Sequence, residues 1–213
     1  MRQMRNRTMK SADLATLRAL HGRKRWEHIW AYYKLPIIGI LIVLYIFGYA
    51  AYRHFTKKEA VLYVNLVNIS AGSDLTGQLT DGFAQYAHLT KKQQVNLLTG
   101  LIINETANVD EQYIYASELK LLAAVSAQQL DVILMDTAAR DQLQDEEYFL
   151  DLRTLDADFS NLDELSADGV TLDISDTPLI AQAGFEESVY LGVIANAPHP
   201  ERAAAYIRYL LQQ

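Results

Sequence analysis

The longest apolar stretch of the chain covers residues 35–52 and reads LPIIGILIVLYIFGYAAY, without a charged residue. An α-helix of this length rises about 27 Å, close to the ~30 Å hydrocarbon core of a bilayer. The pattern predicts one transmembrane helix over residues 35–53. It divides the chain into a basic, partly helical tail at 1–34, a linker at 54–60 and an α/β domain at 61–213.

Beyond this stretch, apolar patterns of two kinds alternate. Continuous runs typical of strands buried on both faces occur at residues 60–69 (AVLYVNLVNI), 95–103 (VNLLTGLII) and 131–136 (DVILMD). Apolar residues at helical spacing lie between these runs: Leu75, Leu79, Phe83 and Tyr86 in the first gap, and Tyr115, Leu119, Leu122 and Val125 in the second. This β-α-β-α-β order predicts a parallel sheet with right-handed crossovers.

The pattern is weaker after Asp136. Residues 170–174 (VTLDI) alternate like an edge strand, and residues 189–195 (VYLGVIA) are again strand-like. Pro200 suits the first turn of a final helix. We therefore expect an α/β fold, namely a small three-layer domain with a mostly parallel sheet, preceded by one transmembrane helix.

Charge is distributed very unevenly around the apolar stretch. The residues before it carry nine Lys or Arg against two acidic residues, a net charge of +7. From Glu59 onward there are 24 acidic and seven basic residues, a net charge of −17. Basic residues favour the cytoplasmic side, so we predict a single-pass protein of the cell membrane with its N-terminus inside and its domain extracytoplasmic. The acidic domain excludes nucleic acid as a partner.

A cleaved signal peptide is the alternative to a retained anchor. Gly48 and Ala50 place small residues suitable for a cut before Ala51. Signal peptides have short basic leaders and apolar cores of about 7–15 residues, whereas this leader is long and the apolar run is longer. The retained anchor is therefore favoured.

Several chemistries lack the residues that they need. The chain has no cysteine, which excludes disulfides, thiolate metal sites, a cysteine nucleophile and a lipid-modified cysteine. It has no P-loop and no GxGxxG motif. His88 and His199 accompany no nucleophile motif, and His199, between two prolines, is expected to cap a helix. We predict no catalytic residues, no metal and no cofactor.

Five segments of the domain resemble one protein family. They are YASELKLLAA at 115–124, LDVILMD at 130–136, YFLDL at 148–152, YLGVIAN at 190–196 and PERAAAYIRYL at 200–210. Together they resemble extracytoplasmic solute-binding proteins of bacterial ABC transporters, of the type 2 periplasmic-binding-protein-like kind. The order of basic tail, anchor and small domain also resembles membrane-anchored proteins of Gram-positive anaerobes.

The resemblance extends to one lobe only. Proteins of this family close two lobes over a ligand, and the second lobe lies before the return strand. Here only residues 153–188 are available for it, and chains below ~40 residues rarely fold unaided. The resemblance therefore implies a single, truncated lobe without a hinged cleft, and no ligand-binding residues are carried over.

Candidate ligand-binding residues follow from the sheet instead. Ligands of open parallel sheets bind beyond the carboxyl ends of the strands. The polar or small residues expected at those ends are Asn68, Ser70, Gly72, Ser73, Asp136 and Asn196. Ordinary turn and capping chemistry, with Ser73 or Asp74 as the cap, is the alternative explanation.

An acidic segment offers a second candidate site. Asp156, Asp158, Asp163 and Glu164 have the oxygen ligands that Ca²⁺ prefers, but Asn161 and Ala167 stand where an EF-hand needs Gly and Glu. A solvated acidic loop is therefore the favoured explanation.

Two functional hypotheses follow. The first is a non-enzymatic interaction module or transporter accessory, with the lipid bilayer and another membrane or envelope protein, such as a transporter subunit, as partners. The second is a solute receptor of a transport system whose cleft is completed by a partner lobe. A third, an envelope hydrolase, rests on fold analogy alone.

Overall fold

A computed structural model of the chain describes residues 23–56, 58–104, 110–162 and 165–212, with side chains described except at 23–34, 36, 37, 54–56 and 157. The chain forms two compact units, Met1–Lys57 and Lys58–Gln213. Most of the predicted basic tail lies outside the described residues.

Helix α1 (Arg23–Thr56) is the described part of the first unit. It contains the whole predicted segment 35–53, and every residue from 38 to 53 is exposed. Among the residues whose side chains are described, no helix is both long enough and apolar enough to cross a membrane. Because α1 reaches Thr56 and the next strand begins at Glu59, the linker expected at 54–60 is shorter than predicted.

The second unit contains a five-stranded mixed sheet. Its strands are β1 (Glu59–Val67), β2 (Gln93–Leu101), β3 (Val132–Met135), β4 (Thr171–Asp173) and β5 (Tyr190–Val193). Their order is β2-β1-β3-β5-β4. β1 pairs in parallel with β2 and β3, as predicted. β5 pairs antiparallel with both β3 and β4, so the sheet is mixed and β4 is an edge strand, the latter as expected.

Among the described residues of this unit, five α-helical segments lie between strands and a sixth follows the last strand. They are α2 (Ser73–Gly77), α3 (Phe83–Tyr86), α4 (Glu111–Ser126), α5 (Thr137–Asp145), α6 (Pro178–Ala183) and α7 (Pro200–Gln212). A π-helical turn, Gln78–Gly82, joins α2 to α3, and two short 3₁₀ turns follow α5. The sequence did not predict α5 or α6.

Two apolar layers cover the opposite faces of the sheet. Successive strand residues point to opposite faces, so Leu66 and Leu134 contribute to one layer while Val67 and Met135 contribute to the other. Residues of α2, α3, α6 and α7 fill the first layer, and residues of α4 and α5 fill the second. The predicted α/β class is confirmed, with helices on both faces of the sheet. The expectation of a mostly parallel sheet is wrong, because β5 pairs antiparallel with both of its neighbours.

The π-helical turn is held by two tyrosines of α7. The hydroxyl of Tyr206 donates to the carbonyl of Leu79 over 3.1 Å, and that of Tyr209 donates to the carbonyl of Gln78 over 2.9 Å. Burial raises the pKa of Tyr206 well above its ordinary value, with a smaller contribution from Tyr209. The carbonyl of Gln78 also accepts from the N–H of Phe83, so Tyr209 gives it a second partner at the turn where the regular helical ladder is altered.

Candidate functional site

The carboxyl ends of β1 and β3 bring two of the predicted site residues together. Asn68 follows β1 and Asp136 follows β3, and these strands are parallel neighbours. The Nδ2 group of Asn68 donates to Oδ1 of Asp136 over 3.1 Å and to Oδ1 of Asn104 over 2.7 Å. The predicted polar cluster at this edge therefore exists, and Asn104 is an additional member.

Asn68 adopts a backbone conformation that suits this role. Its φ is 59°, in the left-handed region that asparagine tolerates better than most residues. Its Oδ1 accepts from the backbone N–H of Ile103 over 3.0 Å. Asn104 extends the cluster by donating from Nδ2 to Oε1 of Gln142 over 2.9 Å. One asparagine thus joins the ends of three strands.

Asp136 has a structural task of its own. It is the N-cap of α5, and its Oδ1 accepts from the N–H of Ala139 over 2.8 Å. The same oxygen accepts the bond from Asn68. A carboxylate at this position accepts a hydrogen bond from a helix N–H that has no partner within the helix, and its negative charge interacts favourably with the positive end of the helix dipole. This geometry agrees with the capping alternative.

Three other predicted site residues follow the carboxyl end of β1 and are exposed, namely Ser70, Gly72 and Ser73. Gly72 is the N-cap of α2 and makes no side-chain capping bond, so the expectation that Ser73 or Asp74 caps this helix is wrong. The hydroxyl of Ser73 donates to Oδ1 of Asp74 over 3.3 Å. A carboxylate already lies at this helix start, which disfavours the binding of an anion there.

Asn196 does not share this edge, which corrects the sequence-based expectation. β5 runs antiparallel to β3, so its carboxyl end lies at the opposite edge of the sheet. There Nδ2 of Asn196 donates to the carbonyl of Val125 over 3.0 Å. That carbonyl belongs to the last turn of α4 and also accepts from the N–H of Gln128 over 3.1 Å, so Asn196 is an additional partner at the helix end.

A cavity of about 390 Å³ lies between α5 and the β4–β5 pair. The guanidinium of Arg140 lies 4.2 Å from the ring centroid of Tyr190, and its Nη2 donates to Oδ1 of Asp141 over 2.5 Å. Burial lowers the pKa of Arg140, but Asp141 and, to a smaller extent, Tyr190 together raise it above its ordinary value. Asp168 and Asp173 add carboxylates to the lining. The volume falls within the range of small-ligand sites, and no sequence motif indicated it.

The opposite edge holds a buried acid–base pair that the sequence did not reveal. Asp131 is fully buried; its Oδ1 accepts from the N–H of His199 over 2.7 Å and its Oδ2 from the N–H of Tyr63 over 2.8 Å. Nδ1 of His199 lies 3.1 Å from Oδ2, and its ring stacks on Tyr63 with centroids 5.9 Å apart. The pair fastens β1 and the segments before β3 and α7 to one another.

His199 also begins α7. Its carbonyl accepts from the N–H groups of Arg202 and Ala203, each over 3.0 Å. The predicted capping position of His199 is therefore confirmed at the backbone, and Pro200 occupies the first helical position as expected.

The acidic segment is partly described. Asp156 forms an ion pair with Arg208 and accepts from the N–H of Asp158 over 3.0 Å. Asp163 and Glu164 lie outside the described residues. Within the described part of the chain, no group of three or more histidine or acidic side chains is placed to hold a metal ion.

Comparison of the chain with protein-family models, curated proteins and solved structures found no match. The functional interpretation therefore depends on the chain's own geometry and charge.

Proposed function

We propose that this is a single-pass, membrane-anchored extracytoplasmic protein whose α/β domain resembles one lobe of a solute-binding protein and acts as a non-enzymatic interaction module or transporter accessory. The proposed membrane anchor is supported by the exposed apolar surface of α1. Exposed side chains follow one another without interruption at Ile40, Leu41, Ile42, Val43 and Leu44. Consecutive residues point in all directions around a helix, and apolar surface on all sides requires apolar surroundings.

The single-lobe part of the proposal is supported by the course of the chain through the sheet. The return segment that the resemblance implies is β5, which lies between β3 and β4. Between β4 and β5 the structure contains one helix, the six-residue α6. A segment of this size adds to the core of the same domain, through Leu179 and Ile180, and gives a ligand no second wall.

The proposal of a non-enzymatic role is supported by the structural roles of two buried carboxylates, Asp131 and Asp136. Asp131 accepts two backbone N–H groups in addition to its contact with His199. Asp136 caps α5 and holds Asn68. Both carboxylates thus have a structural role that accounts for their positions.

The absence of cysteine makes the topology directly testable. Ser126→Cys in the domain and Ser11→Cys in the tail are produced separately in bacterial cells and treated with a membrane-impermeant maleimide. We expect labelling of the first in intact cells and of the second only after lysis, with the anchor intact by mass spectrometry. The reverse labelling, or a mature chain beginning at Ala51, would contradict the anchored topology.

The interaction role is tested by crosslinking the full chain in native membranes and purifying it. A reproducible membrane or envelope protein partner, such as a transporter subunit, is expected. Failure to recover a reproducible partner across several growth conditions would contradict the proposed interaction role.

The cavity beside Arg140 and Tyr190 favours the solute receptor as a second candidate. A thermal-shift screen of small polar solutes separates the two, because a ligand at 100 times its Kd adds about 2.7 kcal/mol of stability. A solute whose effect disappears in Arg140→Gln would support the receptor. A screen without a hit leaves the interaction module as the better account.

A further inference from the structure

Helix α4 presents large apolar side chains on its outer side. Tyr115, Leu119 and Leu122 lie at positions i, i+4 and i+7, which form one stripe along a helix. Their exposed fractions are 64%, 47% and 50%. They are three of the four residues whose spacing predicted the helix, and they are exposed, whereas the fourth, Val125, packs against the second apolar layer.

The inner side of α4 explains this arrangement. Ser117 and Leu121 are the buried residues of the helix. Ser117 is small, and its hydroxyl donates to the carbonyl of Tyr113 over 2.9 Å within the same helix. A helix that meets the sheet through these residues has two apolar sides, and only one of them is covered by the described fold.

The exposed stripe borders a groove between α4 and α5. The groove has a volume of about 260 Å³. Its lining includes the buried residues Ile103, Leu121 and Leu143, with Leu119 and Leu122 at the side. A recess with an apolar floor and exposed leucines matches the surfaces that bind the apolar face of an amphipathic helix.

The charges of the groove select the chemistry of its occupant. Among the described residues, those that line the groove and carry a charge are Glu118 and Glu146, and no lysine or arginine lines it. The charge of Glu146 acts inside the groove: burial and then this carboxylate raise the pKa of Tyr148, another lining residue. A second copy would bring two domains of charge −17 together, which disfavours self-association.

We propose that the α4–α5 groove docks an amphipathic helix of a partner protein, with leucine-like residues on its inner face and lysine or arginine along its flanks. The inference rests on the proposed role as an interaction module, and it names the surface and the chemistry of the partner. The apolar residues fill the groove, and the basic flanks meet Glu118 and Glu146.

The test uses the full chain in phosphatidylcholine nanodiscs and a fluorescent 18-residue peptide of leucine and lysine with all leucines on one helical face. Binding is measured by anisotropy, with empty nanodiscs subtracted. We expect the peptide to bind, and a counterpart with glutamate in place of lysine to bind at least tenfold more weakly. Binding should also weaken as salt is raised, because salt screens the attraction between the basic flanks of the peptide and the carboxylates beside the groove.

Variants assign the binding to the groove. Leu119→Ser with Leu122→Ser, and separately Glu118→Gln with Glu146→Gln, should each weaken binding about tenfold. The matched control, Glu186→Gln with Glu187→Gln, neutralises two exposed carboxylates that do not line the groove. It should change the affinity for the peptide less than twofold. Circular dichroism verifies that each variant is folded.

Three results would overturn the inference. They are no binding of the lysine peptide to the wild type, equal affinity in the groove variants and the control, and a dimer of the wild type that the Leu119→Ser, Leu122→Ser variant abolishes. These outcomes differ from failure of the proposed function. A partner that crosslinks equally to the groove variants would leave the interaction role standing and place its contact elsewhere.

Discussion

Replacing Asp131 tests whether the buried acid–base pair is a structural clamp. The carboxylate meets three donors: the N–H of His199 at 2.7 Å, the N–H of Tyr63 at 2.8 Å and Nδ1 of His199 at 3.1 Å. A buried donor left without a partner costs about 1–3 kcal/mol. Asp131→Asn keeps one acceptor and turns an NH₂ group toward another donor, so we expect a loss of about 3 kcal/mol. Asp131→Ala removes every acceptor and should cost about 4 kcal/mol.

The measurement is pulse proteolysis of the full chain in urea, which reports the free energy of unfolding of the domain. His199→Ala should cost only about 1 kcal/mol, because the imidazole is 32% exposed and water replaces part of its bond. Asp145→Asn is the control, since this exposed carboxylate at the end of α5 should change stability by less than about 0.5 kcal/mol. A loss of under 1 kcal/mol for Asp131→Asn would refute the clamp.

Three further predictions concern packing and pH. Tyr206→Phe leaves a buried carbonyl without its donor and should lower the free energy of unfolding by about 1–2 kcal/mol in urea titration. Gly192→Ala places a Cβ 2.5 Å from the ring of Phe149 and should lower the melting temperature through a cost of about 2 kcal/mol. The hydrogen bond from Arg153 lowers the pKa of Asp151. The folded state therefore holds that proton less strongly than the unfolded state. The interaction with Arg153 therefore stabilises the fold at pH values above the ordinary pKa of 3.8, and this stabilisation is lost as the pH falls through the lower pKa of the folded state. The loss of stability in acid should be smaller in Asp151→Asn, as measured by unfolding between about pH 2 and 6.

The strands that the sequence predicted are those whose local pattern is decisive. β3 and most of β1 consist of apolar residues buried on both faces, and such runs are typical of the centre of a parallel sheet. The meeting of Asn68 and Asp136 then follows from topology alone, since parallel neighbours end at the same edge. The direction of β5 does not follow, because an apolar run of four residues has the same pattern in either direction. That is why the expectation for Asn196 was wrong.

The missed features depend on contacts far apart in the chain or on weak local patterns. α5 buries only Ala139 and Leu143, too few apolar positions to mark a helix. The pairing of Asp131 with His199 spans 68 residues and has no motif. For α4 the spacing was correct but the orientation was not determined, because two sides of the helix are apolar.

Strand β2 has a consequence for how the protein behaves when it is concentrated. It pairs with β1 on one side, and in the described sheet no strand lies on the other. Its sequence, QQVNLLTGL, contains neither a charged residue nor a proline, the devices that usually protect an edge. A second molecule that adds its own β2 alongside would lengthen the sheet without disturbing the core. Because each molecule has one β2 edge, this pairing closes into a dimer. In a concentrated solution whose salt screens the domain's net charge of −17, the domain should therefore dimerise along this edge, and Leu98→Lys should weaken the dimer.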